Sequence, residues 1–236
     1  AAFGHNALTS NTTASENTAI GQSALNNNTT GDNNTAVGAY ALYSSEEVSG
    51  LTAIGYRALY SNTTGTYNIA MGDDALYSNT TGDYNLAIGS RALYYLDGNY
   101  YNLAIGTNAL ENNVANFNIA VGYQAMQSNT TGKYNAAFGY EALTSNTTGG
   151  RNSAFGLNAL TNNTVGEWNS AFGKAALAEN ISGESNTAIG EIAMLNNTTG
   201  SFNTALGRRA MLSNTTADNN VAIGLAASGE GGIPSF

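Results

Sequence analysis

A short motif in which small and large apolar residues alternate recurs along the whole chain. Aligned on a glycine, the motif reads Asn-x-Ala-large apolar-Gly-x-x-Ala-Leu, followed by a polar stretch that is most often Asn-Thr-Thr-Gly. Twelve of the thirteen intervals between these glycines contain 17 residues, and one contains 16. The glycines are Gly4, Gly21, Gly38, Gly55, Gly72, Gly89, Gly106, Gly122, Gly139, Gly156, Gly173, Gly190, Gly207 and Gly224. A constant period predicts an array of repeated structural units.

The period is too short for a pair of helices, because helical hairpin repeats need about 33 residues or more. It predicts one coil of a parallel β-solenoid, an all-β fold, with residues 85–89 as a strand and residues 91–95 as a second strand of the same coil. Asn-Thr-Thr-Gly is then the turn, with its glycine supplying a positive φ. We therefore expect a solenoid of about fourteen 17-residue coils over residues 1–224, and a C-terminal cap or linker over residues 225–236.

Asparagine stands four residues before the repeat glycine in twelve of thirteen coils, with Leu51 as the exception. If the coils stack in register, an inward asparagine can bond the amides of both neighbouring coils, which satisfies a polar group that would be costly to bury. We interpret this column and the glycine column as structural ladders. The alternative is a row of ligand-binding amides. The first members are Asn17, Asn34, Asn68, Asn85 and Asn102, with Gly21, Gly38, Gly55 and Gly72.

The composition excludes several classes of function. The formal net charge of -9 gives an acidic surface that disfavours nucleic acid as a partner. The chain has no cysteine, and no apolar run approaches the roughly 20 residues of a membrane span, so we expect no membrane insertion in this segment. The chain starts at the end of a repeat, and we expect the natural protein to continue upstream.

The phrases Asn-Thr-Ala-Ile-Gly, Asn-Leu-Ala-Ile-Gly and Asn-Ser-Ala-Phe-Gly, followed by x-x-Ala-Leu, resemble the head repeats of trimeric autotransporter adhesins, the YadA-like heads. Similar repeats occur in phage tail fibres. The resemblance extends from Ala1 to about Gly224. It implies a left-handed parallel β-roll, three identical chains about a common axis, and attachment at a cell or virion surface. The longer Asn-Thr-Thr-Gly turn departs from the commonest head repeat, and the absence of a stalk or anchor leaves bacterial and phage origin both open.

The residues themselves also favour self-association. Successive strand residues point to opposite faces, so the constant alanine and the large apolar residue beside it lie on different faces. A thin roll can hide only one of these faces, and symmetric association of identical chains would cover the other. The sequence does not decide which column lines the roll.

Few residues could take part in catalysis or metal binding, and we expect neither enzymatic activity nor a cofactor or metal. The single histidine, His5, occupies a variable position beside a repeat glycine. Asp73 with Asp74, and Glu46 with Glu47, could contribute calcium ligands, but they do not recur, so solvated charge is the better interpretation. Arg208 and Arg209 are isolated, and the glycine run at 229–232 is a linker rather than a phosphate loop because no helix pattern follows it.

Two aromatic stripes are the candidate contact surfaces. One lies five residues before the repeat glycine and the other just after the leucine column. Their members could stack on one another, or they could contact a sugar or a protein. The first stripe contains Tyr67, Tyr84, Tyr101, Phe117, Tyr134, Trp168 and Phe202, and the second contains Tyr43, Tyr60, Tyr77 and Tyr94.

The sequence therefore predicts an extracellular attachment protein, either an adhesin head or a tail-fibre segment, that recognises a host-surface glycan or protein. A structural filament subunit is the alternative. The threonine rows of the turns also suggest an ice-binding solenoid, but they are interrupted at Glu46, Asp97, Val114 and Ile181. As Asn-x-Thr the turns match glycosylation acceptors, although their regularity points to backbone geometry.

Overall fold

The computed structural model describes residues 1–228 and shows an all-β parallel β-solenoid of about thirteen coils, with roughly 17 residues per turn. No helix occurs in this part of the chain. The chain divides into two compact units, Ala1–Phe117 and Asn118–Phe236, the second of which is described up to residue 228. The all-β solenoid fold and its period confirm the sequence-based prediction.

Each coil contributes one short strand, and the strands of a unit pair in parallel in chain order. The register is constant: Ala70 lies opposite Ala87, which lies opposite Ala104. The strands of the first unit are β1 (Ala2–Phe3), β2 (Thr18–Ile20), β3 (Thr35–Val37), β4 (Thr52–Ile54), β5 (Ile69–Met71), β6 (Leu86–Ile88) and β7 (Leu103–Ile105). Those of the second are β8 (Ile119–Val121), β9 (Ala136–Phe138), β10 (Ser153–Phe155), β11 (Ser170–Phe172), β12 (Thr187–Ile189), β13 (Thr204–Leu206) and β14 (Val221–Ile223).

The core consists of the two alanine columns and the leucine column. In the coil of β6, Ala87, Ala92 and Leu93 are fully buried. The large apolar residues beside the strand alanine, such as Ile88, point outward and stay partly exposed. The structure thus answers the question that the sequence left open, because the alanine lines the roll and the large residue covers its outside.

The predicted second strand at residues 91–95 is wrong. This segment is a series of turns in which Arg91 and Leu93 have left-handed φ values of 57° and 52°. The physical reason is burial, since Ala92 and Leu93 are adjacent and both fully buried, whereas a strand would send them to opposite faces. The turns still bond the neighbouring coils: Arg91 N donates to Asp73 O at 2.9 Å, and Leu93 N donates to Ala109 O at 3.1 Å.

The glycine of Asn-Thr-Thr-Gly does not supply a positive φ, contrary to the prediction. The left-handed residue of this turn is the one two positions later, for example Tyr67 at φ 54°. In most coils the glycine leaves room for its neighbours: a Cβ added to Gly65 would collide with the carbonyl oxygen of Gly82 in the next coil and would lie 2.6 Å from Asn62 Oδ1. Its role is close packing against a buried amide rather than conformational freedom.

The predicted cap or linker over residues 225–236 lies largely outside the described residues, as does the glycine run at 229–232. The described part still follows the coil: Ala226 N donates to Arg208 O at 2.9 Å, and Met211 N donates to Ala227 O at 2.7 Å.

The repeat glycine gives the sharpest test of the fold. Gly89 has a φ of 130°, and a Cβ there would lie 2.5 Å from the carbonyl carbon and oxygen of Gly106. We predict that Gly89→Ala destabilises the protein by at least about 3 kcal/mol, from backbone strain and overpacking together. Chemical denaturation measures the change.

Gly50→Ala is the matched control. Gly50 has a φ of 77°, near the left-handed region that other side chains adopt at this place in the coil, and the nearest atoms to an added Cβ are 3.5 Å away. This substitution should lower the free energy of unfolding by about 1 kcal/mol. Equal losses for the two variants would contradict the close coil-to-coil packing.

Candidate functional site

The asparagines four residues before the repeat glycine lie inside the solenoid and join neighbouring coils. Asn85 N donates to Asn68 Oδ1 at 2.9 Å, and Asn102 N donates to Asn85 Oδ1 at 3.0 Å. The Nδ2 group of Asn68 donates in turn to Gly82 O, a carbonyl of the next coil, at 2.6 Å. Asn17 and Asn34 make the same contacts. Because these side chains are buried, the column does not present its amides to a ligand in solution.

A second amide ladder was missed from the sequence. It is formed by the asparagine of Asn-Thr-Thr-Gly, which the sequence analysis treated only as a turn residue. Asn163 Nδ2 donates to Asn146 Oδ1 at 2.8 Å and to Gly166 O at 3.0 Å, so both of its amide hydrogens are bonded. In the second unit this ladder contains Asn129, Asn146, Asn163, Asn180, Asn197 and Asn214. The available signal was the recurrence of asparagine at this position in eleven of thirteen turns, with Ser45 and Leu96 as the exceptions.

One coil departs from both ladders at once. Ser45 and Leu51 replace the two ladder asparagines, and Val48 replaces the turn glycine. Ser45 Oγ donates to Asn62 O at 3.1 Å, so it offers no hydrogen to the preceding coil. Asn28 Oδ1, which belongs to that coil, is buried without a hydrogen-bond partner among the described residues. Ser45 and Val48 are matched, because a Cβ at the turn-glycine position of an inner coil approaches the amide oxygen closely, as at Gly65 and Asn62. Among the 17-residue coils, only the first and last turns combine asparagine with alanine, at Asn11 with Ala14 and Asn214 with Ala217.

The outer face of the sheet is apolar or weakly polar and carries no charge. Within residues 1–228 every strand is built from Thr, Ser, Ala, Val, Ile, Leu, Met and Phe alone. Three phenylalanines of the second unit stack on this face: the Phe138 and Phe155 rings lie 4.7 Å apart, and the Phe155 and Phe172 rings lie 4.9 Å apart. Charged residues begin at the position after the repeat glycine, as at Asp73 and Lys174.

The aromatic stripe after the leucine column is a continuous half-buried stack. Tyr43, Tyr60, Tyr77 and Tyr94 lie with successive ring centroids 5.2 to 5.3 Å apart and interplanar angles of 5° to 11°. Burial in the stack raises the pKa of the Tyr60 and Tyr94 phenols above the ordinary value, because it disfavours the charged form. These hydroxyls therefore stay protonated at neutral pH.

An arginine links this stack to the neighbouring surface. The Arg57 guanidinium carbon lies 4.8 Å from the centroid of the Tyr56 ring and 4.9 Å from that of Tyr77. The same guanidinium donates two hydrogen bonds of 2.8 Å to Asp74, which raise the pKa of Arg57. The prediction that Asp74 is a solvated charge is thus wrong, because a half-buried arginine pairs with it.

The aromatic stripe before the repeat glycine is more exposed. In the first unit the stack runs through Tyr67, Tyr84, Tyr101 and Phe117, with ring centroids 5.2 to 5.7 Å apart. In the second unit Arg151 replaces one ring, and its guanidinium carbon lies 5.6 Å from the Tyr134 ring centroid and 4.6 Å from that of Trp168. This stripe is a row of outward rings with a cation in register.

The remaining candidates are exposed surface residues. His5, Asp73, Glu46 and Glu47 are exposed, and no three or more His, Cys, Asp or Glu side chains come together as a metal site within residues 1–228. Arg208 is not isolated as predicted, since its Nε lies 2.9 Å from Glu191 Oε2. That pair is exposed and contributes little to stability.

The threonine rows bond the protein itself. The first threonine of the turn donates its hydroxyl to a carbonyl of the next coil: Thr63 to Thr80 O at 3.1 Å, and Thr147 to Thr164 O at 3.0 Å. These hydroxyl hydrogens are therefore committed to coil stacking, which gives the recurring Asn-Thr-Thr sequence a structural explanation.

Two comparisons with known proteins found no match for the chain: no protein-family model matches it, and a search of curated proteins finds no significant match. Among the described residues no helix has the length and apolarity needed to cross a bilayer.

The irregular coil allows a double-mutant test of the second ladder. A Cβ at position 48 would crowd an amide at position 45, as the 2.6 Å approach between a Gly65 Cβ and Asn62 Oδ1 shows. We predict that Ser45→Asn and Val48→Gly are each destabilising alone, whereas the double variant exceeds the sum of the single effects by at least about 1 kcal/mol. The restored amide would donate to Asn28 Oδ1.

Urea denaturation of the four proteins gives the coupling energy. Ser44→Asn combined with Val48→Gly is the control, because position 44 is not a ladder position, and its effects should add. Additive effects for Ser45→Asn with Val48→Gly would show that the buried amides are not a cooperative ladder.

Proposed function

We propose that this protein is a non-enzymatic extracellular attachment protein that presents a repetitive surface as a homotrimer of left-handed β-rolls. The observation that carries the proposal is the exposed row of Tyr67, Tyr84 and Tyr101 in the first unit, together with the row of Tyr134, Arg151 and Trp168 in the second. It belongs at a cell or virion surface, as an adhesin head or a segment of a tail fibre.

The chemistry of the stripe supports attachment. Tyrosine, tryptophan and arginine are the residues that contribute most to binding at protein surfaces, because each combines a large contact area with a polar group. Here they are held in position by stacking on their neighbours, so little side-chain freedom remains to be lost on binding. Trp168, which stacks on Arg151, is 56% exposed.

The outer face of the sheet supports self-association. Monomeric proteins rarely expose a large continuous apolar surface, and the strands of this face carry no charged residue. A second copy of the same chain offers a surface of matching character and period. The resemblance to YadA-like heads favours three copies, whose outer faces would meet about the common axis.

Assembly can be tested by one charge on that face. Ile105, the last residue of β7, is half-buried and points outward. We predict that the unaltered protein sediments at three times the 24.3 kDa mass of the chain, and that Ile105→Glu sediments at the mass of one chain because a buried carboxylate opposes association.

Thr107→Glu is the matched control, since the equivalent position of other coils carries Asp73 or Glu191. It should leave the assembly unchanged. A monomer in both the unaltered protein and the control would refute the trimer, and an open-ended series of masses would favour the filament subunit.

Attachment is tested by binding of the fluorescently labelled protein to panels of animal and bacterial cells. We predict that Tyr84→Ser with Tyr101→Ser reduces cell binding by at least about tenfold, the effect of losing roughly 1.4 kcal/mol of ring contact. Tyr60→Phe with Tyr77→Phe, in the half-buried stripe, should retain binding. No binding to any panel by the unaltered trimer would contradict the proposed function.

A further inference from the structure

The exposed aromatic stack of the first unit has an open end at Tyr67. The preceding coil has Gly50 in the place of the next ring. Gly50 has a φ of 77°, and Tyr67 has a φ of 54°, so both backbones lie in or near the left-handed region. A Cβ at Gly50 would lie 3.5 Å from Cδ1 and Cε1 of the Tyr67 ring. The missing side chain therefore leaves uncovered the ring face of Tyr67 that an aromatic neighbour would otherwise cover.

A cleft of about 380 Å³ borders Tyr67 on the side of the preceding coil, which contributes residues 47–49 to its lining. Besides Tyr67 it is lined by Glu47, Val48, Ser49, Thr63, Thr64 and Thr66. Tyr67 is 59% exposed, more than Tyr84 or Tyr101 within the same stack. The cleft thus combines one aromatic face with a rim of small polar groups.

The rim can both donate and accept hydrogen bonds. Asp32 N donates to Ser49 Oγ at 2.8 Å, which keeps the hydroxyl hydrogen of Ser49 for another acceptor. Thr63 donates its hydroxyl hydrogen to Thr80 O, which leaves its oxygen able to accept. Glu47 adds a carboxylate, which accepts two or more hydrogen bonds when ionised. A ligand with several hydroxyl groups can use all three.

We propose that this cleft binds one neutral pyranose sugar, whose apolar face stacks on Tyr67 while its hydroxyls bond Glu47, Ser49 and Thr63. The inference deepens the proposed attachment function and rests on it for its biological setting, with the sugar as the terminal unit of a surface glycan. Ring C–H groups of a pyranose carry a slight positive charge and suit the negative face of an aromatic ring.

Charge selects the class of sugar. The carboxylate in the cleft is Glu47, Glu46 precedes it in the chain, and Asp32 contacts Ser49, whereas none of the lining residues is basic. An anionic sugar such as a sialic acid would meet like charges at short range. Uncharged hexoses avoid that repulsion and keep their hydroxyls for the rim.

The test uses methyl β-D-galactopyranoside, methyl β-D-glucopyranoside and methyl α-D-mannopyranoside as probes, with N-acetylneuraminic acid as the anionic comparison. Binding is measured by saturation-transfer NMR and by chemical-shift titration of the tyrosine ring signals. We expect at least one neutral pyranoside to bind and to shift the Tyr67 signals, and N-acetylneuraminic acid to bind at least about tenfold more weakly.

Gly50→Tyr should remove the site without removing the fold. Other coils carry tyrosine at this place with left-handed φ values, so the new ring should extend the stack and cover the face of Tyr67 on which the sugar would lie. We expect at least about tenfold weaker binding with thermal stability retained or raised. Tyr67→Ala removes the ring itself and should give the same loss of binding. It therefore tests the site independently if Gly50→Tyr fails to fold. Tyr60→Phe with Tyr77→Phe, in the half-buried stripe, should bind as the unaltered protein does.

The outcomes separate the site from the function. Absence of binding by all three pyranosides, equal binding of N-acetylneuraminic acid, or full binding by both Gly50→Tyr and Tyr67→Ala would overturn the sugar site. If the trimer still attaches to cells in that case, the proposed function stands without it. If the pyranoside binds as expected but the trimer attaches to no cell, the site stands and the attachment function falls.

Discussion

Buried asparagine amides that bond from one coil to the next are the constraint on which this structure depends. The core is made of alanine and leucine, so it offers few large contacts, and the polar groups inside it must be satisfied by the neighbouring coils. Each Asn163 or Asn85 side chain finds its partners only if the chain advances by one coil in 17 residues. A slip of one residue would leave a column of amides unbonded, at about 1 to 3 kcal/mol for each buried group.

This constraint separates fixed positions from free ones. Inside, the alanine, leucine, glycine and asparagine columns admit little variation, because identical residues contact each other along the stack. Outside, the same register aligns whatever residue occupies a column, so tyrosines become a stack and uncharged strands become a continuous face in each unit. The columns that differ between coils, at Gly50, Arg57 and Arg151, are therefore the places where one coil acquires a property that its neighbours lack.

The sequence was sufficient to predict the period, the parallel stacking and the absence of helix, because these follow from columns that repeat without exception. Prediction from the sequence failed where the backbone adopts conformations that the residue type does not indicate. Leu93 lies in the left-handed region, which a leucine rarely adopts, and only tertiary packing of its buried side chain explains it. The turn asparagine was recognised as a turn former, but its burial depends on neighbouring coils that a single repeat does not show.

The features of the candidate surfaces also differ in how far they could be predicted from the sequence. The stacking of Tyr43, Tyr60, Tyr77 and Tyr94 was open to prediction, since equal spacing places equal rings together. The pairing of Arg57 with Asp74 was open to prediction in the same way, because the two residues lie 17 positions apart in one column, but Asp74 was considered only together with Asp73. The open face of Tyr67 arises from one glycine in an otherwise aromatic column, a feature visible in the sequence only after the register and the turn conformation are known.

The most direct test of this account is NMR observation of the side-chain amides of Asn146, Asn163 and Asn180 in the second unit. The account predicts nuclear Overhauser contacts between the Nδ2 hydrogens of each asparagine and the side chain 17 residues earlier. It also predicts hydrogen exchange slowed to the rate of global unfolding. Contacts at any other spacing, or rapid exchange of these amides with solvent, would contradict the buried ladder.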